Sequence, residues 1–287
     1  MKYAFITDHC HEHRIKILCR VLGVSRSGYY AWLVRPLSER TRENLEIVRV
    51  MREIHADVME TYGSPRMHVE LVESGFSVSL GRVERLMRAH GIAAKQSKRH
   101  RRTHQHRATQ GPAENVLNGE FAAPAPNEKW VCDITFIETR QGWLYLAIVL
   151  DLYSRAIVGW SMSEQINGKL VEGALAMAIE QRDATGPTLV HSDQGSQYTS
   201  AAYRQKLKDS QLLCSMSRKG ACYDNAVAES FFHTLKNELV YDKRYETRAE
   251  AKQSIFKYIE LFYNRKRRHS YLNYQAPLEY EKMQAVA

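Results

Sequence analysis

Residues 129–138 read KWVCDITFIE. β-Branched and aromatic residues dominate this stretch, which predicts a buried strand. In its middle stands Asp133, between Cys132 and Ile134. A carboxylate inside an apolar strand must be paired, hydrogen-bonded or metal-bound, because removing it from water is costly. The stretch therefore predicts a sheet core and, within it, an acid kept for a chemical reason.

Downstream, GWLYLAIVLDLYS (142–154) and RAIVGWSMS (155–163) follow with only short breaks, as in an antiparallel meander. A helix is expected over GKLVEGALAMAIEQR (168–182), a strand over TLVHSD (188–193) and a helix over SAAYRQKLKDS (200–210). Another strand is expected over LLCSMS (212–217), then a helix from Ala226 through Leu239 and one more over 247–263. Three strands followed by alternating helix and strand form a mixed sheet with helices on its faces, an α/β core. After it comes the basic cluster Arg265, Lys266, Arg267, Arg268 and His269.

Upstream the sequence is helical. In RIKILCRVLGVSRSGYYAWL (14–33), Ile15, Leu18, Cys19 and Leu22 share a helix face, Gly23 breaks it and Ser25 can cap a second helix. A charged amphipathic helix with Leu45, Val48, Met51 and Ile54 follows over roughly 38–60. SPRMHVELVESGF (64–76) and SLGRVERLMRAHGI (79–92) repeat the helix–turn–helix grammar, closed near Gly75 and Gly91. Periodicity then stops until Pro126. KQSKRHRRTHQHR (95–107) carries Lys95, Lys98, Arg99, Arg101, Arg102 and Arg107 and no acid, as suits a stretch that tracks a phosphate backbone. The expected organisation is a helical region 1–94, a basic linker 95–126, a catalytic core 127–245, and a C-terminal helix with a basic tail 246–287.

A formal net charge of +9 over 287 residues favours a polyanionic partner. No run reaches the ~18 apolar residues of a membrane span, and MKYAFITDHCHEHR (1–14) is no signal peptide, so a cytoplasmic protein is expected. The five scattered cysteines make no disulfide framework. Cys10 with His9, His11 and His13 fits no closed zinc pattern and reads as a polar segment.

Two further acids stand out. Asp193 ends LVHSD, where open α/β sheets present ligand sites. Glu229 lies in the first turns of a helix that Asn225 can cap. At 100° per residue Asn225, His233 and Lys236 fall within 40° of Glu229, opposite Val227, Phe231 and Leu235. Such a stripe can face both a metal and a phosphate. Asp151 is a competing carboxylate, expected to end its strand or pair with Arg155, and Trp130 is expected in the core.

Here the residues carry a resemblance. W-x-x-D-I-T (Trp130, Asp133, Ile134, Thr135), HSDQGSQY (191–198) and DNAVAESFFHTLKNEL (224–239) resemble the three motifs of the DDE transposases with a retroviral-integrase-type core. The interval 229 − 193 = 36 leaves the family's thirty-five-residue gap, and Lys236 matches its following basic residue. LDLYSRAIVGWS (150–161), YNRKRRHSYLNYQAP (263–277) and LCRVLGVSRSGYYAW (18–32) extend the likeness over essentially the whole chain. It is most similar to the second-reading-frame transposases of the IS-three family of bacterial insertion sequences. Ala221, where the family more often has a polar residue, is a local departure.

The resemblance implies an RNase H-like core, a five-stranded mixed sheet with the first Asp on its central strand. It implies that Asp133, Asp193 and Glu229 are catalytic and hold two Mg²⁺ (or Mn²⁺) ions, hard cations suited to carboxylates. It implies cleavage of the element's ends and joining of 3′-hydroxyl ends to DNA. Lys236, Gln194 and Asn225 would contact DNA beside the site, and Lys98, Arg99, Arg101, Arg102, Arg265, Arg267 and Arg268 elsewhere. The implied partners are terminal inverted repeats, target DNA, further copies of the chain in a synaptic complex, and a first-reading-frame product, fused or separate. The implied location is the bacterial nucleoid. An inactive DNA-binding regulator and an RNase H-type nuclease remain as alternatives, the first disfavoured by three intact acids, the second by the added helical region and basic linker.

Overall fold

The computed structural model describes residues 1–95, 113–183, 187–218 and 222–286. The chain divides into two compact units, Met1–Met51 and Arg52–Ala287, so the helical region expected over 1–94 is shared between them.

The first unit opens on a short helix that periodicity did not indicate, α1 (Lys2–His9), followed by α2 (Ile15–Val21) and α3 (Arg26–Val34). Ser25 caps α3, its hydroxyl accepting from Gly28 N at 3.0 Å. Ile6, Leu18, Cys19 and Tyr29 form the small core. The long helix α4 (Glu39–Asp57) runs through the division between the units.

In the second unit, α5 (Ser64–Glu73) and α6 (Leu80–Ala89) form the expected helix pair. Gly75, at φ +90°, takes the left-handed turn after α5, a conformation that a side chain disfavours. His68 Nε2 and Val78 O, 2.8 Å apart, bridge α5 to the turn.

The sheet has the order β3-β2-β1-β4-β5, built from β1 (Lys129–Thr139), β2 (Gly142–Asp151), β3 (Ile157–Ser163), β4 (Leu189–Ser192) and β5 (Leu213–Met216). β1, β2 and β3 pair antiparallel, while β4 joins β1 and β5 joins β4 in parallel. The expected mixed five-stranded sheet is thus present, with β1 at its centre. On one face α7 (Gly168–Arg182) and α8 (Ala201–Asp209) cover Trp130, Cys132, Ala147, Val149 and Val190. Gly159 on β3 makes the close approach of α7 possible. A Cβ there would stand 2.2 Å from Ala174 O and 2.7 Å from Ala178 N. On the other face α9 (Ala226–Leu235) and α10 (Arg248–Lys257) cover Val131, Ile137, Leu146 and Ile148.

Both of these helices end differently from their sequence reading. Each widens into a π-helical turn, Lys236–Val240 after α9 and Tyr258–Tyr263 after α10. The added residue per turn changes the helical phase, and after α9 it brings Glu238 inside. The chain finishes with α11 (Pro277–Val286), where a tail was expected. Glu281 on α11 receives two hydrogen bonds from the Arg182 guanidinium, at 2.7 and 3.0 Å, and one from the Ser154 hydroxyl.

The second half of the expected linker also packs. Val116 N and Leu117 N donate to Ser215 Oγ at 3.0 and 3.1 Å, and Leu117 is buried. Cys10, Cys19, Cys132 and Cys214 are free thiols. Among the described residues no helix is long and apolar enough to cross a membrane.

Candidate active site

Alternation along β1 decides where Asp133 points. Trp130 and Cys132 enter the core under α7, and Val131 and Ile137 enter the core under α9, so Asp133 shares the α9 face. Asp193 follows from register. β1 and β4 pair with a constant offset, Lys129 with Leu189 and Val131 with His191, a difference of 60. Since 193 − 133 = 60, the same offset sets Asp193, just past the end of β4, level with Asp133. Neighbouring strands lie about 4.8 Å apart. α9 packs on the same face and carries Glu229, half-buried, in its first turn.

The electrostatics agree with this placement. Burial foremost, then the charge of Asp193 and more weakly that of Glu229, hold the Asp133 carboxyl well above the usual carboxylate range. The Ile134 N–H and the Lys236 ammonium oppose the shift. Lys236 is itself pushed below its ordinary value by burial, against the pull of Asp133. One oxygen of each aspartate is held by backbone: Asp133 Oδ1 accepts from Ile134 N at 2.8 Å, and Asp193 Oδ1 from Gly195 N at 2.9 Å. Among the described residues no three His, Cys, Asp or Glu side chains already stand close enough to grip a metal ion. The three acids are electrostatic neighbours, and both aspartates still spend an oxygen on their own backbone.

The neighbouring amides also tie the site's elements together. Asn225 precedes α9 but makes no side-chain cap, which corrects the sequence reading. Its Nδ2 donates instead to Cys132 O at 3.0 Å, pinning the start of α9 to β1 beside Asp133. Its Oδ1 is buried and has no hydrogen-bond partner among the described residues. Gln194 Nε2 donates to Ser217 O at 2.8 Å, tying the Asp193 loop to the end of β5. His191 bridges β4 and β5, its ring nitrogens 2.8 Å from Ser215 Oγ and 3.1 Å from Ser217 Oγ. Asp224 was not singled out from sequence. It accepts from Arg218 N at 2.9 Å and Asn115 Nδ2 at 2.8 Å, so it anchors the segment entering α9. An acid just before a capping residue was its one sequence signal. Asp151 ends β2 as expected, but accepts from Asn127 N and Tyr153 N, at 2.7 and 2.8 Å, rather than pairing with Arg155.

The basic cluster differs most from its reading. Arg267 is buried and holds Glu238 with two bonds of 2.6 and 2.7 Å. Arg268 is buried too, and binds Glu70 at 2.6 Å and Glu73 on α5. These guanidiniums are internal ties. Only Arg265 of the three is exposed, its Nε donating to Glu260 O at 3.0 Å. Lys98, Arg99, Arg101 and Arg102 lie outside the described residues.

Comparison with known proteins agrees with this architecture. An integrase core domain matches residues 123–222, a second integrase core domain 229–284 and an HTH-like domain 41–100. Over 284 residues, 98% of both chains, the sequence is 42% identical to transposase InsF for insertion sequence IS3A of Escherichia coli (strain K12). The chain belongs to the IS3-family transposases. This family member is also similar to the insertion element IS600 uncharacterized 31 kDa protein of Shigella sonnei, 42% identical over 92% of this chain and 97% of that protein. In solved structures, the HTLV-2 integrase catalytic core domain in complex with magnesium (dimeric form) shares 15% identity and a TM-score of 0.40, covering 55% of this chain and 98% of that one.

Proposed function

We propose that the chain is a DNA transposase that cleaves the ends of its insertion sequence and joins the resulting 3′-hydroxyl ends to DNA, with Asp133, Asp193 and Glu229 as its catalytic acids. The observation that carries the reading is the placement of the three acids: Asp133 on the central strand β1, Asp193 just past β4, which pairs with β1, and Glu229 in the first turn of α9, which packs on β1. Water attacking the phosphorus in line releases a 3′-hydroxyl and leaves a 5′-phosphate, and that hydroxyl attacking a second phosphorus makes the new strand joint as the attacked strand's own 3′-oxygen leaves. No covalent protein–DNA bond is needed.

The donor set fits a hard divalent cation. A carboxyl whose charge is disfavoured by two neighbouring acids, with the buried and unpartnered Oδ1 of Asn225, itself bonded to the Cys132 carbonyl on β1, is what Mg²⁺ or Mn²⁺ satisfies. Asp133, Asp193 and Glu229 would hold it, as one ion or two. Bound there, such ions supply Lewis-acid activation of the attacking oxygen and charge relief at the leaving oxygen. The protein's part is orientation. The Gly195 and Ile134 N–H groups fix one oxygen of each aspartate, and the Asn225 bond to Cys132 O fixes the start of the helix that carries Glu229. Lys236, half-buried and within the electrostatic reach of Asp133, would place a cation beside the reacting phosphate. Gln194 and Arg265 are further DNA contacts in this reading, and the helix pair α5–α6 within the HTH-like match serves recognition of the terminal repeats. Pairing two ends calls for more than one copy of the chain, and a first-reading-frame product supplies further DNA contacts.

The test is nicking and end-joining of DNA carrying the element's terminal repeats, with Mg²⁺ or EDTA, by wild type and Glu229→Gln. Metal-dependent products that fall by about a thousandfold or more (~4 kcal/mol of barrier) in the variant are expected. Equal activity of the variant would remove Glu229 from the site. Binding without cleavage, persisting in a fusion with the first-frame product, would favour the regulator.

A further inference from the structure

Beside the acids, the surface continues in an unusual direction. Lys236, whose charge acts on Asp133, also lays its Nζ 4.7 Å from the centroid of the Phe136 ring. Phe136 in turn meets Trp143 edge to face, with centroids 5.0 Å apart and an interplanar angle of 86°. Both aromatic residues sit on the β1–β2 hairpin, where Phe136 pairs with Tyr145 and Trp143 with Glu138; by alternation their side chains leave the strands on the face opposite that of Asp133, and Lys236 links the two faces. Trp143 is 46% exposed, whereas Trp130 on the same strand pair is fully buried. The Trp143 backbone is held in place by Arg248 Nε, which donates to its carbonyl at 3.1 Å. An indole kept half in water on a fixed hairpin, one ring away from a cation, forgoes burial that a core position would give it.

The chemistry of the line identifies its occupant. A nucleotide offers one phosphate and one flat π face, and Lys236 with the Phe136–Trp143 pair offers a cation and aromatic faces in the same succession. Glu138, exposed directly across from Trp143, repels phosphate and so suits that end of the line to a base. A base inside a duplex has both faces covered by its neighbours; only the outermost pair or an unpaired base has a face free, and an unpaired base can turn onto the indole without moving the duplex.

Building on the transposase reading, we infer that Trp143, supported by Phe136, is a stacking platform for an unpaired nucleobase of the DNA end held at Asp133. The platform makes the site selective for ends that are frayed or single-stranded next to the reacting phosphate. It assigns to Trp143 a binding role separate from the acids.

The test uses the full chain in EDTA, so that no cleavage occurs. Binding is measured to a duplex of the terminal repeat carrying a three-nucleotide overhang on either strand, and to the same duplexes with abasic overhangs. Wild type and Asp133→Asn are expected to favour the base-bearing overhang of one polarity by about tenfold. Trp143→Leu, which keeps apolar bulk without a π face, is expected to lose that preference, and Trp143→Phe to keep most of it. No preference in wild type, or an undiminished preference in Trp143→Leu, overturns the platform. Failure to cut in Mg²⁺ would instead count against the transposase reading, since the EDTA comparison stands without catalysis.

Discussion

At the residue scale the site depends on small things placed well. The Asp193 carboxylate is aimed by the Gly195 N–H, and a Cβ on Gly195 would lie 2.9 Å from Asp193 Oδ1 and 3.1 Å from Gln197 Oε1. Both neighbours are ends of side chains, so they can yield while the fold stays intact. Gly195→Ala is therefore expected to lower strand cleavage about tenfold or more with little change in melting temperature, since small misplacements of a reacting group cost that much. Cleavage assays beside thermal melts check it; unchanged cleavage would show that the aspartate needs no such aiming. The three proposed acids stood out in sequence because Asp133 interrupts an apolar strand, Asp193 ends one and Glu229 heads a polar stripe. Asn225 was found for the wrong reason: a cap was expected, and the structure spends its amide on Cys132 O. Arg267 and Arg268 misled because their partners Glu238, Glu70 and Glu73 lie far away in sequence, and a run of cations reads as solvent-facing when its acids are distant.

At the element scale, pattern sufficed where burial is periodic. α7 keeps the bounds expected of it, and β1, β2 and β3 fall where alternation and β-branched residues put them. It failed where an element is held by something other than an apolar stripe. α11 is tied by Glu281 to Arg182 and Ser154, which no local pattern records. The π turns after α9 and α10 keep helical hydrophobicity while changing phase, so sequence extends them as plain α-helix. One element contact has a measurable cost. Gly159→Ala drives a methyl into the backbone of α7 at Ala174 and Ala178, which cannot give way as a side-chain end does. It should destabilise the core by about 3 kcal/mol, the upper end of overpacking penalties. Urea unfolding of the variant measures this, and a loss below about 1 kcal/mol would mean that α7 slides freely on β3.

At the scale of the whole chain, the second unit is joined by charges buried far apart in sequence. Glu238 receives Arg267 and the Tyr258 hydroxyl, at 2.6–2.7 Å, while Arg268 reaches back to α5. Arg267→Met leaves Glu238 in the interior with only the more distant Arg66, at 3.8 Å, and is expected to cost about 3 kcal/mol. Adding Glu238→Gln should recover part of the loss, and a double-mutant cycle by chemical denaturation reads the coupling. No recovery would mean that the pair does not act as a unit. The order of synthesis gives this tie a further meaning. All three acids leave the ribosome before Arg267 does, yet the helix bearing Glu229 runs into a turn whose buried carboxylate, 3.8 Å from Arg66, still awaits the two close bonds of Arg267. A chain released early carries all three proposed acids and lacks the two guanidinium bonds that fasten the turn following the helix of Glu229.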